Sequence, residues 1–277
     1  MRVRVDHLTT YRYQPPAKAV LQVLRLSPRS HEGQNVVRWR VSAEADVEVQ
    51  LRRGEDALGN VTQTAFLQGP VSGLALRVEG EVETWDTRAV VRGAAERFPV
   101  EAYLRETGLT APSPELAAFA EEVAAGDEAE VLARLHRLML AIRGEIAFDT
   151  HETQTTTTAA EAFALKRGVC QDLSHIFIAA ARRLGIPARY VSGHLAREGE
   201  AIEQDAAHAW AEAYAPDLGW IGFDATNGIC PTPAYVRVAI GLDYLGAAPV
   251  RGARTGGGAE TMDVRLRVSH AALQSQS

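Results

Sequence analysis

Apolar and polar side chains alternate along most of the segment from residue 2 to about residue 92. Runs with a period of two occupy residues 3–8, 20–26, 36–41, 47–51 and 74–84. This period is typical of β-strands that bury one face and expose the other. Residues that favour turns separate the runs, namely Pro15-Pro16, Ser27-Pro28, Gly54, Gly59-Asn60 and Gly69-Pro70. The segment therefore predicts an antiparallel sheet or a small sandwich.

A helical period replaces this alternation after about residue 112. Ser113 followed by Pro114 predicts the start of a helix with Ser113 as its N-cap, and Gly126 predicts its end. Asp127 with Glu130 predicts the start of a second helix in the manner of a capping box. The apolar stripe of that second helix comprises Val131, Leu132, Leu135, Leu138, Met139 and Ile142.

A third helix is predicted to begin near Cys170 and to end at Gly185-Ile-Pro187. Strands are expected at 188–195, 207–214 and 219–224, which suits an antiparallel sheet beside that helix. A mobile glycine-rich loop is expected after Gly252, before a last strand at 264–268.

Together these patterns predict an α+β fold with two domains. The first is an all-β domain at residues 1–95, without catalytic residues of its own. The second, at residues 96–277, contains a helix that packs on an antiparallel sheet.

The amino-acid composition excludes several classes of protein. The 277 residues carry 29 Lys and Arg against 35 Asp and Glu, and the net charge of −6 argues against nucleic acid as a partner. The sequence contains no run of about 18 apolar residues, so no membrane span is expected. The first residues lack the apolar core of a secretion signal, and two cysteines do not form a disulfide framework. We therefore expect a globular, cytoplasmic protein.

Cys170 is the first candidate for chemistry, because it lies where a glycine-containing loop enters a predicted helix. Unpaired N–H groups at a helix N-terminus favour a thiolate and can also donate to the oxyanion of a tetrahedral intermediate. The alternative is that Cys170 is a small buried apolar residue.

His208 lies in a segment, 207–215, where every second residue is alanine. His208, Trp210, Glu212 and Tyr214 share one face of the predicted strand, while the alanine face is expected to pack closely on the Cys170 helix or on a neighbouring layer. His208 is therefore a candidate base, and a structural histidine is the alternative.

Asp224 is the candidate group that orients this base. A hairpin centred on Pro216 would pair residue 208 with residue 224, and directly opposed side chains have Cβ atoms about 4.5–5.5 Å apart. The alternative is that Asp224 caps the turn formed by residues 224–228.

A metal site is the rival interpretation of the same region, with Cys170, Asp172, His175 and Cys230 as ligands. Cysteine and histidine five residues apart do not share a helical face, and no Cys-x-x-Cys or His-Glu-x-x-His occurs. No metal and no cofactor is therefore predicted. Asp172 and His175 are expected to form a local polar pair or to contact the helix start, and Cys230 is expected to be structural. Trp210 and Trp220 either line a cleft or pack in the core.

Three motifs resemble those of the bacterial transglutaminase-like superfamily, whose members are often described as predicted cysteine proteases. They are Gly168-Val-Cys-Gln-Asp-Leu-Ser-His175, His208-Ala-Trp-Ala-Glu212 and Gly219-Trp-Ile-Gly-Phe-Asp-Ala-Thr-Asn-Gly228. Tyr11-Arg-Tyr13, Arg25-Leu-Ser-Pro28 and Asp56-Ala-Leu-Gly-Asn60 resemble the β domain that precedes the catalytic core in that family. The resemblance implies a papain/transglutaminase-like core, with Cys170 as nucleophile, His208 as general base and acid, and Asp224 as the orienting carboxylate.

The sequence departs from the family pattern at three points. Ala225 stands where a proline is usual after the aspartate, and the nearest tryptophan before Cys170 is Trp85, in the predicted β domain. No calcium loop of the Asp-x-Asp-x-Asp-Gly type occurs. Calcium-activated cross-linking is therefore not expected.

Two hypotheses follow. In the first, the protein is an acyl-transfer enzyme that forms a thioester on Cys170 from an amide in a peptide or protein, as a cysteine protease, peptidase, amidase or transglutaminase. In the second, it is a binding or scaffold module that retains the three residues, with the β domain as its partner surface.

Overall fold

The computed structural model describes residues 1–125, 130–197, 203–204 and 207–270. Its main elements are two antiparallel sheets and a group of helices. The strands are β1 Arg2–Ser27, β2 Gln34–Ala45, β3 Leu51–Glu55, β4 Val61–Thr84, β5 Val90–Val91, β6 Ala147–Phe148, β7 Arg167–Gly168, β8 Ala188–Leu195, β9 Glu203–Gln204, β10 His208–Ala215, β11 Gly219–Phe223, β12 Tyr235–Gly241, β13 Val250–Gly256 and β14 Ala259–His270. The helices are α1 Pro114–Ala124, α2 Val131–Glu145, α3 Ala159–Leu165, α4 Cys170–Arg183 and α5 Tyr244–Ala247, with a 3-10 helix at Val100–Leu104. The predicted α+β class is confirmed.

The first sheet has the order β2-β4-β1-β14-β9, with β3 added beside β4 and β13 beside β1. The turns predicted at Pro15-Pro16 and Gly69-Pro70 are wrong, because all three prolines lie inside long strands, the first two in β1 and the third in β4. The register between these strands shifts in this region and then resumes. A proline cannot donate to the ladder, so it produces a local irregularity that the pairing on either side bridges. The strand predicted at 47–51 begins only at Leu51.

The C-terminal strands return to this first sheet. β14 pairs with β1 from Val3↔His270 to Gln14↔Ala259, and β13 pairs with the second half of β1. The mobile loop predicted after Gly252 is wrong, because residues up to Gly256 form β13 and a tight glycine turn leads into β14. The sheet therefore combines both ends of the described chain, whereas the predicted division at 95/96 assigns them to different domains.

The second sheet has the order β12-β8-β10-β11-β5. The strands predicted at 188–195, 207–214 and 219–224 correspond to β8, β10 and β11 within one residue at each end. The sequence did not indicate β12 or β5. Because β5 pairs with β11 at Trp220 and Ile221, the segment before residue 95 also supplies an edge strand to this sheet.

The predicted helices form, but the capping box predicted for the second is wrong, because α2 begins at Val131 with Glu130 as its N-cap and without a side-chain cap. The Ser113 side chain accepts from the N–H of Leu116 and begins α1, while Gly126 and Asp127 lie outside the described residues. The predicted stripe of α2 is buried at Leu135, Leu138, Met139 and Ile142. The short helix α3 was missed, although Thr158 and Glu161 form the capping box that begins it.

Helix α4 packs against the alanine face of β10, as predicted. Ala209, Ala211 and Ala213 are buried in one core cluster with Ile176 and Phe177 of the helix. Methyl side chains let the helix axis approach the strand closely. No helix within the described ranges is long and apolar enough to cross a membrane.

Candidate active site

Cys170 is the first residue of α4, and the chain before it is held in a fixed path. Oδ2 of Asp172 accepts from the Val169 N–H at 2.8 Å and from the Thr153 hydroxyl at 2.7 Å. A Cβ on Gly168 would lie 2.7 Å from that of Asp172, so only glycine permits this approach. The prediction that Cys170 lies in the first turn of a helix is confirmed.

Asp172 and His175 do not form the local polar pair considered above, because each has other partners. Burial raises the pKa of Asp172, although the hydrogen bonds from Val169 and Thr153 oppose this effect. Nε2 of His175 accepts from the N–H of Tyr244 at 3.0 Å, and burial lowers the pKa of His175 to about 4. Across the described ranges, no group of three or more His, Cys, Asp or Glu residues is arranged to hold a metal.

His208 begins β10, and its Nε2 donates to Oδ2 of Asp224 over 2.6 Å. The predicted register was wrong by two positions. The pairs Ala211↔Phe223 and Ala215↔Gly219 centre the hairpin on Asp217 rather than Pro216. Asp224 therefore lies just beyond β11 and meets His208 diagonally, a spacing that a ring and a carboxylate can bridge.

Asp224 makes the contacts expected under both alternatives, one to His208 and one within the turn. Its Oδ1 accepts from the N–H groups of Thr226 and Asn227 at 2.9 and 3.1 Å, which closes the turn. Its Oδ2 accepts from His208, from the Asn227 side chain at 2.6 Å and from the Tyr235 hydroxyl at 2.7 Å. Burial raises the pKa of this carboxyl, but the hydrogen bonds and the charge of His208 outweigh it and lower the pKa.

The contacts of Asn227 and Tyr235 were not predicted. Asn227 belongs to the turn-rich segment 224–228, so its local position could have suggested a hydrogen bond to Asp224. Tyr235 carries no such signal, because it reaches Asp224 only through the pairing of β12 with β8.

The imidazole of His208 interacts with acidic groups on two sides. Burial lowers its pKa, but hydrogen bonds to Asp224 and Cys170, with the charges of both, raise the pKa to about 9. The ring is 7% exposed, so water screens these interactions little. The geometry therefore favours an imidazolium beside the Asp224 carboxylate and within hydrogen-bond reach of the Cys170 side chain.

The strand that carries His208 is anchored by a buried ionic cluster. Glu212 lies four residues after His208 on β10. Its carboxylate accepts from Nε of Arg189 and from Nε of Arg237, each at 2.7 Å. These three residues join β10 to β8 and β12, and the two guanidinium groups lower the pKa of Glu212 to about 2 against the effect of burial. The sequence marked Glu212 as part of a motif but gave no partner for it.

Cys170 and His208 open onto a cleft of about 920 Å³. Residues from both sheets line it, including Thr9 and Tyr11 of β1 and Tyr190 of β8. Trp210 lies outside this lining, in a smaller pocket with Glu212, and Trp220 stacks on Arg189 at 3.9 Å. The alternative that these tryptophans line the cleft is therefore wrong.

An α+β fold with a cysteine at a helix start, beside a histidine and an aspartate on an adjacent antiparallel sheet, defines the papain/transglutaminase-like class of proteins. Residues 117–225 match the family model of the transglutaminase-like superfamily, and residues 3–83 match that of the bacterial transglutaminase-like N-terminal region. The chain belongs to the transglutaminase-like superfamily.

The chain is also similar to individual proteins and to a solved structure, which cover different shares of it. An uncharacterized protein of Mycobacterium leprae is 31% identical over 98% of this chain and 99% of its own length. A protein-glutamine gamma-glutamyltransferase of Pseudomonas aeruginosa is 30% identical over 38% of this chain and 17% of its own. A solved structure described as a candidate cysteine protease of Cytophaga hutchinsonii has a TM-score of 0.76 at 20% identity, covering 99% of this chain and 92% of its own, which shows a shared fold.

Proposed function

We propose that this protein is a thiol-dependent acyl-transfer enzyme that cleaves amide bonds through a thioester on Cys170. The position of His208 between Cys170 and Asp224, with a pKa raised to about 9, is the observation that carries the proposal. A histidine held in this way can accept the thiol proton and keep it close to the reacting atoms.

The first half of the reaction breaks the amide bond. His208 takes the proton of Cys170, and the thiolate attacks the carbonyl carbon to form a tetrahedral oxyanion. Free N–H groups at the start of α4 stabilise that oxyanion. The imidazolium then gives its proton to the leaving nitrogen, the C–N bond breaks, and an acyl-thioester and a free amine result.

The second half returns the thiol. We propose water as the acceptor, so His208 deprotonates a water molecule, the C–S bond breaks, and a carboxylic acid leaves. The protein would then be a protease, peptidase or amidase that acts on peptides or proteins. Amine transfer is the second candidate, because the Pseudomonas aeruginosa relative carries the name of a glutamyltransferase.

Activity profiling tests this proposal. A library of peptides and isopeptides is incubated with the wild-type protein, with and without a fluorescent primary amine, and products are identified by mass spectrometry. Carboxylic products support hydrolysis, and amine-bearing products support transfer. Cys170→Ala is expected to abolish both, whereas Cys230→Ala, which removes the chain's other cysteine, is expected to keep them.

The scaffold alternative makes a different prediction for the same pair of cysteines. If iodoacetamide labels Cys170 and Cys230 slowly and at equal rates near neutral pH, the thiol is not activated and the proposal is wrong. Faster labelling of Cys170 that is lost in His208→Ala supports the enzyme.

A further inference from the structure

The cleft above Cys170 has a second wall that belongs to the first sheet. His7, Thr9 and Tyr11 alternate along β1 and therefore share one face. In the β1–β14 register Thr9 pairs with Val264 and Tyr11 with Met262, so these two residues of β14 lie on the same face. All five side chains line the cleft that contains Cys170 and His208.

Most of the remaining lining comes from the part of the protein that bears Cys170, and Val250 of β13 adds a further residue of the first sheet. Besides Cys170 and His208, the cleft is lined by Thr155, Val169, Gln171, Tyr190, Ser192, Ala207, Ala209, Tyr244, Pro249 and Val250. Within the described part of the chain, no Asp, Glu, Lys or Arg lines it. Away from His208, a charged substrate group would lose part of its hydration and find no side chain of opposite charge among these described lining residues.

His7 gives the wall a neutral polar group. Burial lowers its pKa to about 4 against the opposing charge of Asp6, so the ring is uncharged near neutral pH. Its Nε2 lies 3.0 Å from the Thr9 hydroxyl, while its buried Nδ1 has no hydrogen-bond partner among the described residues. That nitrogen is shielded from solvent, so His7 presents an uncharged ring to the cleft rather than a free hydrogen-bonding atom.

We propose that this cleft selects acyl donors with an uncharged, apolar group beside the scissile carbonyl, and that the wall formed by β1 and β14 makes this selection. The choice of substrate rests on the proposed function, since the donor has to reach Cys170. Tyr11, Met262 and Val264 contact the apolar group, and the uncharged ring of His7 completes the wall.

Alkylation of Cys170 measures this selection without a known substrate. The probes are iodoacetamide and its N-benzyl, N-(2-carboxyethyl) and N-(2-aminoethyl) derivatives, and in each case the thiolate forms a C–S bond and iodide leaves. Each rate is divided by the rate with glutathione, which removes intrinsic reactivity. In the wild type we expect the benzyl probe to react about tenfold faster than either charged probe.

A charge placed on the wall then tests its role. Met262 is 60% exposed, so Met262→Arg leaves the core unchanged. We expect this variant to raise the rate of the carboxyethyl probe relative to the aminoethyl probe by about threefold at low salt. Thr261→Arg is the matched control, because it adds the same charge at the preceding residue of β14, which is not part of the lining. This variant should leave the ratio of the two rates unchanged.

The outcomes separate the two proposals. Equal corrected rates for all four probes, with Cys170 still labelled faster than Cys230, would overturn the substrate selection and leave the proposed function standing. Equal shifts in Met262→Arg and Thr261→Arg would overturn the role of the wall. If iodoacetamide itself does not distinguish Cys170 from Cys230, both proposals are wrong.

Discussion

The protein contains two thiol–imidazole neighbours, and their surroundings differ. Sγ of Cys230 lies 3.4 Å from Nε2 of His136, while the other ring nitrogen of His136 lies 2.9 Å from the main-chain oxygen of Leu132. Cys170 lies beside His208, whose other ring nitrogen donates to the carboxylate of Asp224. A carbonyl fixes the orientation of a ring, whereas a carboxylate also stabilises its charged form.

The difference shows that a histidine near a cysteine is not sufficient for an activated thiol. Burial raises the pKa of Cys230, which favours the inert thiol. At the other site, Asp224 and Cys170 raise the pKa of His208 to about 9 despite its burial. We therefore expect the two cysteines to behave differently, and the predictions below test that contrast.

Removal of each thiol should give the largest difference. Cys170→Ala is expected to lower kcat/KM by about 10⁴-fold or more, because no other group can form the thioester. Cys230→Ala removes a half-buried thiol that is not among the residues lining the cleft, so its kcat/KM should stay within about twofold of the wild type. Comparable losses in both variants, with unchanged circular dichroism spectra, would contradict the contrast.

Removal of each imidazole should have the next largest effect. His208→Ala is expected to slow alkylation of Cys170 at pH 7 by about 10²-fold, since the proton acceptor is lost. His136→Ala is the matched change beside Cys230 and should leave the labelling rate of Cys170 unchanged. Rates are measured by mass spectrometry after peptic digestion, and equal effects of the two substitutions would mean that His208 has no special role.

The sequence could predict contacts between residues that are close together in the chain, but not contacts between residues that are far apart in it. Cys170 and the helix it begins were predictable because a glycine-led loop and an apolar face lie within a few residues. The return of β14 to β1 pairs residues such as Val3 and His270, and no local pattern carries that information. The sequence predicted a contact between His208 and Asp224 but placed the two residues directly opposite each other. That register is wrong, because the length of the 216–218 loop decides the register.

The charge on Asp224 should set the alkaline limit of activity. Asp224→Asn removes a negative charge and an acceptor from His208, so the pKa of the imidazole, about 9 in the wild type, should fall. The alkaline limb of the kcat/KM profile, where the imidazolium is lost, should move to lower pH. Asp217→Asn, an equal change in the exposed β10–β11 turn, should leave the limb in place.

The same shift predicts how stability depends on pH. A pKa raised in the folded state means that the proton is bound more tightly there, so this stabilisation is complete below about pH 6.5 and is lost as the pH rises through about 9. The free energy of unfolding, measured by urea titration, should therefore fall over this range more in the wild type than in Asp224→Asn. Parallel curves for the two proteins would contradict the assignment.

Removal of the Tyr235 hydroxyl should have the smallest measurable effect of these changes. Tyr235→Phe removes one of three side-chain donors to Oδ2 of Asp224 and keeps the ring that packs on Trp210. A hydrogen bond to a charged group is worth about 1.5–3 kcal/mol, and the donors from His208 and Asn227 remain, so we expect kcat/KM to fall by about tenfold at most. The alkaline limb should shift slightly to lower pH, because a less stabilised carboxylate holds the imidazolium less tightly. Tyr214→Phe, on β10 of the same sheet and outside the Asp224 cluster, should change neither the rate nor the limb. If Tyr235→Phe matches that control in both measurements, the hydroxyl only fills space and does not position Asp224.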